Sequence, residues 1–376
     1  MSLFYDPDHQ SDNKPRTRSQ KVNIMNNYNE NSDVSFGKKI YNQAQKIDPI
    51  SIIYTNANNI IHNGIVGNIP IAYKFGLKEN LGINPVPEIG FDTGYNDNKK
   101  SLFIRTGIRF APRTSLNLSF NQNINSNING FNIDTRSTST DFLAYGKNLS
   151  KGLPFMNWSL RVSGLENIPF ISTYIDAMSV EHSFSGKKSL SWKFNDANTK
   201  SISLLNVSDF EDEFKESLQF SKTVSSFSPL IGITTTYKNG ISTNIRANNV
   251  LTLEEVPYGQ TLITKNSLLG NITYNFAKGL RVPVPFSDRN IYLRNNFNIT
   301  FNFDINNSNE KGSKDKINFV EQNFTKTRKG VLRLSYVLTD DLTAGLFYEY
   351  RTNETRLTGQ RIDRDFGISL NISIRG

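Results

Sequence analysis

The sequence predicts an all-β protein: an antiparallel transmembrane β-barrel segment of roughly 14–18 strands, forming part of a larger barrel. Three observations carry this expectation. Apolar and polar residues alternate with period 2 along many runs, as in strands with one apolar and one wet face. Several runs exceed the roughly 5–6 residues usual for strands of soluble proteins. The chain is polar overall yet rich in aromatics: 37% of its 376 residues are hydrophobic, mean hydropathy is −0.45, and there are 26 Phe and 15 Tyr.

This composition argues against two other classes. A helical membrane protein needs about 20 consecutive apolar residues per span, and no stretch approaches that. A disordered chain is poor in aromatics. A barrel accommodates the polarity because only alternate strand residues face lipid.

The clearest alternation runs from Ile291 to Ile305. Ile291, Leu293, Phe297, Ile299, Phe301, Phe303 and Ile305 fall on one face, with Asn295 the only polar interruption; Tyr292, Arg294, Asn296, Asn298, Thr300, Asn302 and Asp304 fall on the other. Leu332, Leu334, Tyr336 and Leu338 repeat the pattern, then Leu342 to Tyr350 after the polar turn Thr339-Asp340-Asp341. Phe366, Ile368, Leu370, Ile372 and Ile374 close the series. Shorter candidates are Ile50–Tyr54, Ile69–Leu77, Ile89–Tyr95, Leu102–Phe110, Leu116–Ile124, Trp158–Ser163, Met178–Phe184 and Leu190–Phe194. Leu218–Lys222, Ile231–Tyr237, Ile241–Asn249 and Ser267–Phe276 follow, with Asn239-Gly240 as a hairpin turn between two of them. Asn125–Asp141 and Asn306–Lys316 read as polar loops. Phe36–Ile47, Pro169–Ala177 and Ser208–Glu216 are the places where helical turns fit. A soluble β-sandwich also alternates. Strand length, polar faces rich in Asn, Ser, Thr and Arg, and the interfacial positions of Trp158, Tyr348 and Tyr350 favour a barrel.

Residues 1–45 form a polar lead-in and 46–376 the barrel wall. The first residues lack a basic stretch followed by an apolar one, so no secretory signal is read there. The expectation is a longer protein whose signal peptide lies in a preceding part, with the mature product in the outer membrane.

Little chemistry is legible. The net charge of +9 is scattered, which argues against a nucleic-acid partner. The chain has no cysteine, so disulfides, zinc thiolates and thiol nucleophiles are excluded. His9, His62 and His182 stand at no metal-ligand spacing. Asp209, Glu211, Asp212, Glu213 and Glu216 lack the order of a calcium loop and read as a solvated run. Phosphate loops and G-x-S-x-G elbows are missing. The expectation is therefore no enzyme, no catalytic residue, no cofactor and no metal. The candidates for function are Arg161, Arg246, Arg294 and Arg333, each on the polar face of an alternating run. Inside a barrel they line a pore or pair with acidic groups that fill it.

Several segments resemble the SprA/Sov family, the outer-membrane translocon of type IX secretion. KGLPFMNWSLRVSGLENIPF, Lys151–Phe170, is similar to that family's pattern through Leu153, Pro154, Asn157, Trp158, Ser163, Gly164, Leu165 and Glu166. Met178–Phe184 resembles its next strand, which reaches a His. FSPLIGITTTYKNGIST, Phe227–Thr243, matches its Pro-Leu-Ile-Gly strand through Pro229, Leu230, Ile231 and Gly232. KIDPISIIYT, IAYKFGL and the tail FGISLNISIRG are similar to further elements, in the family's order. The acidic stretch around Phe210–Phe214 and the Asn-rich segments depart from it. The resemblance implies the C-terminal portion of a protein-conducting barrel. Its partners would be folded cargo with a C-terminal secretion signal, a small partner β-barrel at a lateral opening, a periplasmic plug and the lipid bilayer. Cell-surface secretion and gliding motility are the processes it serves. Two other readings stay open: a self-contained porin-like or ligand-gated barrel, and a soluble surface β-protein of adhesin type.

Overall fold

The structure, a computed structural model, describes residues 46–61, 68–75, 77–78, 95–129, 134–144, 149, 151–194, 202–204, 207–276, 280–283, 290–293, 295–339 and 341–372. The protein is all-β. The first half holds β1 (Ser51–Ile61), β2 (Tyr95–Ala111), β3 (Thr114–Asn129), β4 (Asp134–Ala144), β5 (Gly152–Pro154), β6 (Asn157–Ser163), β7 (Ile175–Phe194) and β8 (Leu218–Tyr237). The second holds β9 (Ile241–Val256), β10 (Gly259–Phe276), β11 (Leu280–Pro283), β12 (Asn290–Leu293), β13 (Phe297–Ser313), β14 (Val320–Thr339), β15 (Leu342–Thr355) and β16 (Gly359–Ile372). Among the described residues there are two short α-helices, α1 (Ile71–Lys74) and α2 (Val207–Glu213), and a few 3-10 turns. Among the described residues no helix is long and apolar enough to cross a membrane, which says nothing of strands.

Fourteen strands form one antiparallel sheet, with the path β1-β2-β3-β4-β7-β8-β9-β10-β13-β14-β15-β16. β11 and β12 pair separately. β4 and β6 share one position: each lies between β3 and β7, β4 along one half of their length and β6 along the other. β5 doubles back on β4. Among the described residues β1 and β16 each pair on one side only.

Register decides which side chains share a face, because directly opposed residues of an antiparallel pair point the same way. On one face, Ile272, Phe301, Leu332, Tyr348 and Phe366 stand in a row across five strands. Tyr274, Ile299, Leu334, Leu346 and Ile368 form the next row, and Phe276, Phe297, Tyr336, Ala344 and Leu370 the one after. The band continues through Ile241, Ile245, Ile233, Val180, Leu160, Leu116, Ile108 and Ile104 to Ile52. No Lys, Arg, Asp or Glu interrupts it among the described residues, and it is open to the surroundings: Ile368 is 76% exposed. At about 3.3 Å per residue the run Phe297 to Ile305 covers about 26 Å of strand, and its last two rows, those of Phe303 and Ile305, reach Arg364 and Arg328 near the β16 edge. The run spans about 20 Å along the normal at a tilt of about 40°, close to the apolar height of a membrane barrel.

β7, β8 and β14 are each 20 residues long, far more than this band requires. The excess lies at one end only, and there both faces are largely polar except beneath the connection between β7 and β8. Asn266 meets Asn249 at 2.6 Å on the apolar face's continuation. The expected loops at 125–141 and 306–316 are largely strand: β3 runs to Asn129, β4 begins at Asp134, and β13 runs to Ser313. Where both faces are wet, hydrophobic alternation vanishes while the backbone ladder persists. The run from Ile291 to Ile305 is two strands, β12 and β13, and Ile71–Lys74 within an expected strand is helical. The acidic segment forms α2, and Pro169–Ala177 holds only a single turn of 3-10 helix at Ile171–Thr173 before β7 begins.

A conventional core exists in one place. Over the polar overhang, the connection between β7 and β8 folds onto the outer continuation of the apolar face. Phe210 of α2 and Ile202 close over Ile124, Leu190, Trp192 and Phe194. Phe210 stands edge-on to Trp192, with centroids 5.3 Å apart. Beneath them Arg136, only 4% exposed, is held by Asp134 at 2.7 Å, its guanidinium 5.4 Å from the Phe194 ring and 5.5 Å from Phe210. The buried cation is thus both paired and stacked.

Glycine–aromatic contacts tighten the sheet between these regions. Gly270 lies opposite Phe303, whose ring covers the space a side chain would take. Gly270→Ala is expected to destabilise the fold by about 1–3 kcal/mol through this overlap, read from the shift of its denaturant midpoint.

Candidate functional site: a charged row and a break in the ladder

The face opposite the apolar band is mostly polar, and one register row on it is conspicuously charged. It runs Asp363, Arg351, Lys329, Asp304, Leu269, Arg246, Gly232, Glu181, Arg161, Ser115, Arg109 across the sheet. Arg161 and Arg246, two of the four arginines expected on a polar face, converge on one carboxylate. Glu181 lies 3.8 Å from Arg161 Nε and 3.4 Å from Arg246 Nη2. Gly232, between Glu181 and Arg246, leaves room for this reach across the intervening strand. Arg109 pairs with Asp48 at 3.0 Å, and Lys329 with Glu349 at 3.0 Å. Arg333 lies on the same face further along β14, opposite Thr300 and Phe347. Arg294 lies outside the described residues, as does the lead-in 1–45.

Beside Glu181 the ladder breaks. Pairing between β7 and β8 lapses from Glu181 to Phe184 and from Phe227 to Ile231, and between β8 and β9 across the same stretch. Pro229, which has no N–H to donate, sits in the gap, and the Ser228–Pro229 peptide is cis. Side chains replace the missing backbone bonds. His182 Nδ1 donates to the Leu230 carbonyl at 2.6 Å, and the Ser183 hydroxyl donates to the Ser228 carbonyl. On the apolar face an aromatic cluster covers the gap: Trp158 stacks on Phe184 at 4.3 Å, Phe184 meets Phe227 at 5.0 Å, and Phe227 meets His182 at 5.7 Å. On the polar face the gap opens into a hollow of about 420 Å³ lined by Arg105, Asn117, Ser119, Ser159, Ser183 and Ser226.

The two segments quoted in the sequence as one family's pattern therefore flank a single structural feature. Leu153 and Pro154 lie in β5 against Leu143 and Phe142. Asn157 accepts the Gly186 N–H at 2.8 Å, and Trp158 provides the stacking surface. Ser163 ends β6, where its N–H meets the Arg113 carbonyl. Gly164 turns the chain with φ of +86°, a conformation glycine adopts freely, beside the Arg113 side chain. Leu165 opens a 3-10 turn with Glu166. The Glu166 carboxyl is held below the usual carboxylate range by its own backbone N–H and that of Met178, with Arg113 adding at 2.8 Å. Pro229, Leu230, Ile231 and Gly232 form the other side of the break.

Sequence reading placed Arg161 and Arg246 on one kind of face but missed Glu181, their shared partner, because no spacing rule links residues on three strands. The proline within the Phe227–Tyr237 run was the available signal for the break. Among the described residues no group of three or more His, Asp and Glu side chains is placed to hold a metal ion. The chain matches no protein-family model and no curated protein.

Proposed function

We propose that this chain is a wall segment of an outer-membrane protein-conducting barrel of the type IX secretion kind, with no catalytic chemistry of its own. The observation that carries the membrane part is the separation of the two faces. An apolar band lies on one, free of charge through the rows of Phe297, Ile299 and Phe301 and bounded by Arg364 and Arg328 at the β16 edge, and a row of charged side chains lies on the other. In water the band would expose Phe, Ile, Leu and Tyr continuously over many strands, far beyond the apolar patches that soluble proteins tolerate. In a bilayer it faces lipid, and the charged face lines an aqueous interior.

The edges favour a segment over a self-contained porin. Among the described residues β1 and β16 each pair on one side only, whereas a closed barrel has no free edge. A wide barrel requires many strands, because diameter grows with strand number, and folded cargo requires width. The identity of what passes rests on the resemblance: folded cargo with a C-terminal secretion signal, a small partner barrel at a lateral opening, and a periplasmic plug. The wet interior row, with each acid beside a base, suits a conduit that must not hold its cargo.

The absence of cysteine gives a direct test. Single cysteines at Asn298, Ile299, Thr300 and Phe301 of the chain in lipid vesicles are expected to alternate. Positions 298 and 300 should react with a water-soluble thiol reagent, while 299 and 301 react only with a membrane-soluble one. Uniform labelling by the water-soluble reagent would sink the membrane reading.

A further inference from the structure

The upper rim of the apolar band, where the polar overhang begins, is where the first charges appear on the lipid-facing side. At three places along this rim they are matched. Lys188 meets Glu211 at 2.7 Å and Glu255 meets Lys316 at 2.6 Å. Lys326 is engaged with Glu354 at 3.3 Å. Near the β16 edge the matching fails. Arg328 of β14 stands in the row with Thr352 and Ile362, and Arg364 of β16 in the adjacent row with Tyr350 and Gly330. Neither arginine has an ion-pair partner among the described residues, and both are exposed. Arg364 lies over the Tyr350 ring at 5.9 Å.

We propose that Arg328 and Arg364 form a binding site for the phosphate of a phosphorylated outer-leaflet glycolipid of the lipid A type. The inference rests on the membrane reading above and deepens it. β14 and β16 flank β15, so the two backbones stand about 10 Å apart. Arginine side chains reach far enough to meet over the Tyr350–Thr352 surface between them. Guanidinium forks suit phosphate oxygens better than point charges do. The place is right as well as the charge: a phosphate here sits at headgroup level, with acyl chains running down over Tyr348, Phe366 and Ile368. The overhang and the long connection that carries α2 lie on this side of the band. By the usual asymmetry of such barrels, that side is the outside. On the charged face Arg109, Arg161, Arg246 and Arg351 have carboxylates within reach; Arg328 and Arg364 have none among the described residues, which leaves an anion from the surroundings as their partner.

The test uses the full chain in neutral detergent, with purified lipid A, dephosphorylated lipid A and inorganic phosphate as probes. Thermal midpoint and native mass spectrometry are the readouts. Lipid A is expected to raise the midpoint and remain bound, with dephosphorylated lipid A and inorganic phosphate each at least tenfold weaker. Arg328→Gln with Arg364→Gln should weaken lipid A binding at least tenfold, while the double Lys variant retains most of it. Arg161→Gln with Arg246→Gln, on the opposite face, should leave it unchanged. Equal lipid A affinity in the double Gln variant, or equal binding of the dephosphorylated lipid or of inorganic phosphate, overturns the site. A chain that stays monodisperse without detergent overturns the membrane reading, and the site falls with it. A detergent-requiring chain with unaltered binding in the double Gln variant fails the site alone.

Discussion

Leu334→Arg is expected to lower the stability of the chain in lipid vesicles by about 2–4 kcal/mol, the range for a cation placed on the lipid face near the bilayer midplane. Leu334 stands centrally in the apolar band, between Ile299 and Leu346. Its immediate neighbour Arg333 points to the other face, opposite Thr300 and Phe347. Arg333→Leu is therefore expected to change stability by less than about 1 kcal/mol, as for most exposed positions. Urea titration of refolding in vesicles measures both. Opposite outcomes at adjacent residues would reflect a bilayer on one side only. Similar small effects at both would mean that Leu334 faces water.

Trp192→Ala should remove about 3–5 kcal/mol, the usual cost of emptying an aromatic site in a packed core. Trp192 is only 1% exposed and bears Phe210 against its ring. The loss should be local as well as large. Phe210→Ala takes away the other half of the contact and is expected to release the α2 connection, exposing it to proteolytic cleavage between β7 and β8, while β-sheet circular dichroism is retained. A cleavage rate unchanged in both variants would show that the connection is held by something other than this cluster. The prediction is independent of the membrane, because the cluster sits above the apolar band.

How much of this was legible in the sequence follows from what each signal measures. Alternation reports a difference between two environments. It located the apolar rows on β13 to β16, where one face is greasy and the other wet. It was silent at 125–129 and 306–313, where strands continue with water on both sides and only backbone bonds define them. It also ran β12 and β13 together, because one polar residue, Asn295, reads as a mere interruption of a long alternating run although the strands end and begin around it. Arg161 and Arg246 could be assigned to a polar face from their own neighbours. That both reach Glu181 depends on the registers of β6, β7, β8 and β9, and register is a property of pairs. The buried Arg136 was not anticipated, since nothing in its Ser- and Thr-rich strand marks the aromatic lid that a distant connection places over it.

The position shared by β4 and β6 bears on how the sheet responds to force. Elsewhere a single strand runs from rim to rim, and apart from the break at Pro229 tension applied along it is carried by a continuous ladder. Here the chain leaves the sheet at Ala144 and re-enters at Asn157, so load passes across a seam. The seam is stitched by a few contacts: the Phe155 N–H to the Asp141 carbonyl at 3.1 Å, the Asn121 N–H to the Asp141 carboxylate at 2.8 Å, and the Gly186 N–H to Asn157 at 2.8 Å. Pulled from its ends, this stave yields in two steps, one half-strand at a time. The lower half, β6, is the one that borders the break at Pro229. Mechanical compliance is thereby concentrated in one part of an otherwise stiff sheet.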